Sequence, residues 1–195
     1  MPAVIAATLV ENCPHAKLAI FSTSWQYADS QEYRPFNLYA ATKQASENIL
    51  EHYSLRGLKI LSLLLFDTYG NDDKRMKLYN ILKTAAKLQE GIDVTEGEQE
   101  IELINIDDIC EGVKLALDEL ESWDPKWGIL KRGLGSGKPV IVKDLIAKLE
   151  VELCLPIRAN FGAREYRERE VMVVTRNYTK PLGWVPKFSD YSSNQ

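Results

Sequence analysis

The chain has 195 residues, 45% of them hydrophobic and 27% charged, with a formal net charge of −4. These values exclude a disordered chain, a collagen and a disulfide miniprotein, and give no overall basic character for nucleic-acid binding. No apolar run approaches the ~18 residues of a membrane span. Cys13, Cys110 and Cys154 are odd in number and far apart with no C-x-x-C, so we expect buried or free thiols in a reducing cytoplasm. Met1–Val10 lacks the basic start of a secretory leader. His15 and His52 are too few for a His-rich metal centre, and no metal is expected.

In chain order, Met1–Asn12 has helical, small-residue character and Lys17–Ser22 is a short apolar strand. Asn37–Arg56 has helical spacing with Asn37 as N-cap and Gly57 as stop. Leu58–Phe66 is almost continuously apolar, as a strand covered on both faces must be. A polar loop over Asp67–Asp73 and a helix over Arg75–Glu90 follow. A strand at Ile101–Ile104 leads into a helix opened by Asp107 and Asp108, whose charges suit a helix N-terminus. Beyond Trp123–Trp127 come a strand and turn over Gly128–Gly137, a helix over Val140–Val151, and a more basic, irregular last segment with a polar tail. Strands alternating with helices predict an α/β fold with a parallel sheet.

A complete dinucleotide-binding unit opens with a G-x-G-x-x-G turn between strand and helix. The nearest sequence is Gly133-Leu134-Gly135-Ser136-Gly137-Lys138. It lacks the third glycine, and it fails as a P-loop because Arg132 and Pro139 stand where Gly and Ser/Thr are needed. We read it as a surface turn. Adjacent Asp107 and Asp108 read as helix-start residues, Trp123, Trp127 and Trp184 as packing anchors, and Cys110 as core.

The strongest chemical constellation is Phe21-Ser22-Thr23-Ser24 at a strand end with Tyr39-Ala40-Ala41-Thr42-Lys43 on the next helix. Tyr39 and Lys43, four apart, share one helix face. A phenol is a poor base at neutral pH, and a neighbouring ammonium favours its phenolate. With a strand-end hydroxyl they form a proton relay suited to a carbinol or carbonyl undergoing hydride transfer. The same spacing also arises in a helix that merely exposes a Tyr and a Lys.

The wider pattern resembles the extended short-chain dehydrogenase/reductase family of NAD-dependent nucleotide-sugar epimerases and dehydratases. KLAIFSTSWQY is similar to the family strand ending S-[ST]-x-x-x-Y, and LYAATKQASENILEHY to its Y-x-x-x-K helix. LLLFDTYGNDD matches the next strand with its Y-G loop, and GEQEIELINIDDICEGVKLAL the segment ending in a V-D-D-type helix start. GLGSGKPVIVKDL and YREREVM…KPLGWVPKFS match the late turn and the L-G-W-x-P ending.

The resemblance implies an incomplete Rossmann-like parallel sheet over residues 1–125 and a small substrate-binding α/β subdomain over 126–195. It also implies that the first βαβαβ region, at least ~60 residues, lies outside this chain. Thr23 would then position the sugar C4 oxygen, Tyr39 act as acid/base, and Lys43 bond the nicotinamide ribose. Ser22 and Phe66 would adjoin the cofactor, NAD or NADP. Ser24 and Trp25 occupy places where dehydratases carry Asp and Glu, which leaves epimerase or 4-ketoreductase chemistry. Thr23 and Tyr39 stand 16 apart, a short gap that resembles the CDP-abequose and CDP-paratose synthase branch.

For the nucleotide sugar, the resemblance implies roles for Ser24, Asp67, Lys74, Arg75, Arg167 and Glu170. Asp67 stands where the family often has Asn, and Leu64 and Ile101 where it has Arg. It further implies a homodimer through Asn37–Arg56 and Arg75–Glu90, and a cofactor half supplied by another segment or partner chain. The alternative is a non-catalytic remnant that keeps the sugar-nucleotide pocket as a binding or oligomerisation module.

Overall fold

The computed structural model describes residues 1–71 and 73–188; Asp72 in the Y-G loop and the polar tail fall outside them. The main sheet has three parallel strands, β1 (Lys17–Thr23), β2 (Lys59–Leu65) and β7 (Leu130–Leu134), in the order β1-β2-β7. Lys17 pairs with Lys59 through to Thr23 with Leu65, and Leu61 with Leu130 through to Leu65 with Leu134. β2 is central, which is why its sequence runs apolar almost without a break. Pleat alternation divides its side chains. Ile60 faces α1 (Pro2–Asn12) and α2 (Leu38–Ser54), packing with Ala6, Leu50 and Ile129. Leu61 and Leu63 face α4 (Ile106–Ser122), packing with Ile109, Ala116 and Leu120.

β7 falls within the expected C-terminal unit yet belongs to the main sheet, so that sheet crosses the 125/126 division. A second lobe is built from two-stranded pieces. β3 (Asp67–Tyr69) runs parallel to β6 (Leu103–Asn105), β4 (Gly91–Asp93) parallel to β9 (Arg158–Asn160), and β5 (Glu100–Ile101) antiparallel to β8 (Val140–Ile141). Helices α3 (Leu78–Leu88) and α5 (Val142–Leu153) close it over Tyr69, Leu82, Leu103, Leu145 and Leu149.

Several expectations are corrected. Asp67–Tyr69, taken as loop, is a strand. The third helix begins at Leu78, so Lys74 and Arg75 precede it. The strand at 101–104 is broken at Glu102 into β5 and β6. α4 is capped by Asn105, whose Oδ1 accepts from the Asp107 N–H at 2.8 Å. Gly133–Ser136 is buried rather than a surface turn: the Tyr178 ring lies where a Gly133 Cβ would stand, and Glu102 and Tyr178 crowd Gly135. Cys110 is exposed, not core, and Trp127 is exposed while Trp184 is buried. Among the described residues no helix is long and apolar enough to cross a membrane, and no group of three or more His, Cys, Asp or Glu is arranged for a metal.

Candidate functional site

Tyr39 lies in the first turn of α2, whose start is fixed by Asn37: its Oδ1 accepts from the Ala40 N–H at 2.9 Å. The phenol is 54% exposed, and among the described residues its hydroxyl makes no hydrogen bond. One turn on, the Lys43 ammonium donates to the Phe21 carbonyl at 2.8 Å and lies 5.6 Å from the Tyr39 ring centre. The strand end thus moors the cation beside the phenol. Thr23 ends the same strand. Its Oγ1 accepts from the Trp25 N–H at 3.4 Å and its N–H donates to Gln26 Oε1 at 3.1 Å, a capping box that opens the 3-10 turn Ser24–Gln26.

Ser22 serves a different network. Its hydroxyl donates to Glu47 Oε1 and lies 2.9 Å from the Ser62 hydroxyl. Ser62 donates to the same oxygen at 2.6 Å, Tyr33 donates to Oε2 at 2.7 Å, and the Lys131 ammonium is 3.2 Å from Oε2. Glu47 is buried at the third turn of α2. Burial alone would raise its carboxyl, but the Ser22, Ser62 and Tyr33 hydroxyls and the Lys131 charge together hold it below its ordinary value. The Tyr33 phenol is pushed up by burial and by Glu47. Sequence reasoning missed this cluster; Glu47, eight residues after Tyr39 on the same helix face, was the available signal.

A cleft of about 560 Å³ opens beside the turn. Ser24, Phe66, Asp67, Arg167 and Glu170 line it, whereas Ser22, Thr23, Tyr39, Lys43, Lys74 and Arg75 do not. Phe66 is also core, 4.9 Å from the Tyr178 ring. The Arg167 guanidinium stands 6.0 Å from both the Trp25 and Phe36 ring centres, and those rings meet edge-on at 5.3 Å. Its backbone N–H donates to Glu170 Oε2 at 3.4 Å. Arg75 forks onto Asp73 with two 2.7 Å bonds and reaches the Thr68 carbonyl at 3.3 Å. Lys74 is exposed. Asp67 lies 3.9 Å from the Lys77 ammonium, and burial pushes its carboxyl up against the opposing Lys77, Arg167 and Arg75 charges.

The sequence profile of the NAD dependent epimerase/dehydratase family matches residues 3–127, a span that includes the Tyr39–Lys43 helix, the turn after β1 and Asp67. The chain belongs to this family. Among its relatives, CDP-abequose synthase of Yersinia pseudotuberculosis is 26% identical over 104 residues, covering 53% of this chain and 37% of that protein. UDP-glucuronate 4-epimerase 3 of Arabidopsis thaliana is 34% identical over 142 residues, 65% of this chain and 32% of that one. The chain therefore spans about a third of the length of these family members. The crystal structure of UDP-glucuronic acid 4-epimerase from Bacillus cereus, in complex with UDP-glucuronic acid and NAD, superposes with a TM-score of 0.77 at 20% identity. It covers 96% of this chain and 63% of that one, and shows the family's fold here.

Proposed function

We propose that this chain carries the proton-transfer and substrate-binding part of a nucleotide-sugar epimerase or 4-ketoreductase, with Tyr39 as acid/base at the sugar C4 oxygen. The observation that supports it is the Tyr39–Lys43 pair, with Lys43 moored at 2.8 Å to the strand that ends in Thr23, after which the turn carries Ser24 into the wall of a cleft of about 560 Å³. Such a cleft is of small-ligand size. Tyr39 moves the proton at the C4 oxygen, Lys43 supplies positive charge beside the phenol, and Thr23 Oγ1 holds the same oxygen in place.

The residues present fit the nicotinamide end of NAD or NADP. The Tyr39 hydroxyl is uncommitted among the described residues, and Lys43 spends one of its three N–H donors on Phe21, leaving others for a ribose hydroxyl. When bound, the nicotinamide supplies hydride acceptance and return at the sugar carbon. No glycine-rich phosphate-binding turn occurs in these 195 residues, so activity requires that segment from elsewhere.

The test is NADH binding, read by nicotinamide fluorescence, for the chain alone and mixed with a glycine-rich βαβ segment from a relative. Binding in the mixture, with turnover of a UDP- or CDP-sugar, supports the proposal; no binding in any combination sinks it. A second reading, a non-catalytic sugar-nucleotide-binding or oligomerisation module, draws on Leu64 and Ile101 standing in place of arginines. It predicts nucleotide-sugar binding without cofactor binding. A homodimer through α2 and α3 is part of the proposal and predicts twice the chain mass by light scattering.

A further inference from the structure

Asp67 is an unusual group for the floor of a cleft proposed to take a diphosphate. It is held firmly: its N–H donates to the Glu102 carbonyl at 3.0 Å, and it pairs with Leu103 at the start of β3. Its carboxylate meets cations from two directions. Lys77, just before α3, lies 3.9 Å away, and Arg167 reaches the same cleft from the late segment. Arg75 adds charge from further off, being forked onto Asp73. Of the other acids that line the cleft, Glu170 accepts from the Arg167 backbone, Glu100 pairs with Arg176, and Glu102 accepts from the Gly137 N–H and the Tyr178 hydroxyl. Asp93 accepts from the Asn160 amide and Glu165 completes the set, while Asp73 is held by Arg75. Lys77 and Arg167 are the nearest cations whose charge acts on Asp67.

A diphosphate entering this corner needs those two cations, and it brings charge of the same sign as ionised Asp67. Like charges a few ångströms apart in a partly desolvated site repel strongly. Protonation removes the conflict and turns the carboxyl into an O–H donor of nearly the shape of an asparagine amide. We propose that Asp67 is an internal stand-in for the diphosphate of a nucleoside-diphosphate sugar, and that it takes up one proton from solvent when that ligand displaces it from Lys77 and Arg167. The inference rests on the nucleotide-sugar reading above and deepens it. Burial already pushes the Asp67 carboxyl upward over the pull of Lys77, Arg167 and Arg75, so the proton is taken up at modest cost.

The test is isothermal titration calorimetry of the full chain with UDP-glucose and CDP-glucose from about pH 5.5 to about pH 8, where their diphosphates keep a fixed charge. Each titration is repeated in two buffers of different ionisation enthalpy. The expected result is uptake of up to one proton, with affinity falling about tenfold per pH unit on the alkaline side. Asp67→Asn should bind with no such slope, take up no proton, and at pH 8 bind more tightly than the parent. Binding by the parent that is flat in pH, with no proton exchange, overturns the inference while leaving the nucleotide-sugar reading intact. So does an unchanged slope in Asp67→Asn. If neither sugar nucleotide binds either protein at any pH, the nucleotide-sugar reading fails and this inference with it. The buffer comparison uses the parent chain, so the test survives a variant that folds poorly.

Discussion

Glu47 sets the site's geometry as firmly as the Tyr39–Lys43 pair that would use it. One carboxylate gathers β1 through Ser22, β2 through Ser62, β7 through Lys131 and the loop through Tyr33. Glu47→Ala would strand the Ser22 and Ser62 hydroxyls in the interior, at a cost of about 2–4 kcal/mol in a denaturant titration. Because the folded carboxyl sits below its unfolded value, its stabilisation is complete above an unfolded glutamate pKa of roughly 4.3 and is lost as pH falls below that. Asp67 has the opposite sign. Its folded carboxyl is raised, so it penalises the fold increasingly as pH rises from acid to neutral, and Asp67→Asn should raise Tm at neutral pH. In the cofactor-complemented protein, Tyr39→Phe is expected to abolish turnover while nucleotide-sugar binding stays nearly intact, and Lys43→Ala to weaken both turnover and cofactor affinity. Steady-state rates beside a binding isotherm check both; an unchanged rate in Tyr39→Phe refutes the acid/base role.

At the scale of elements, residues that read as local features prove to be long-range clamps. Asp108, within the first turn of α4, accepts from the Lys187 and Phe188 N–H groups at 2.7 and 2.9 Å, while the Trp184 indole donates to the Asp108 carbonyl at 3.0 Å. Asp108→Ala should release the segment around Trp184, seen as faster limited proteolysis there with the main sheet still protected. Glu102 lies where what the sequence presents as one strand changes partner from β8 to β3, and its Oε1 accepts from the Gly137 N–H at 2.7 Å and the Tyr178 hydroxyl at 2.9 Å. This pulls the glycine-rich stretch inward. Its glycines give room to Tyr178, a reason for their presence that a turn count cannot reveal. The start of α3 was misplaced for a similar reason: Asp73 and Arg75 close a local fork that holds the backbone out of helix until Leu78.

Over the whole molecule, β1 is the exposed margin of the sheet. It pairs with β2 on one side only, and Phe21 on it is 47% exposed. An open, partly apolar strand edge favours pairing with another chain. We expect the chain alone to self-associate beyond the proposed α2–α3 dimer, and Phe21→Lys to reduce that further association in sedimentation velocity without disturbing the Lys43 bond, which uses the Phe21 backbone. Self-association unchanged by the lysine would show that another surface is responsible.

Features that depend on neighbours along the chain were legible before any fold was known. The four-residue step from Tyr39 to Lys43, the Asn37 cap and the unbroken apolar run of β2 follow from helix and strand periodicity, which backbone geometry fixes locally. Which cations face Asp67, what Ser22 bonds, why residues 133–136 are buried and where the cleft lies emerge only once the chain is packed. Those facts join residues far apart in the chain, such as Asp67 with Arg167 across one cleft or Glu102 with Tyr178 through a hydrogen bond, and no local pattern carries information about so distant a pairing.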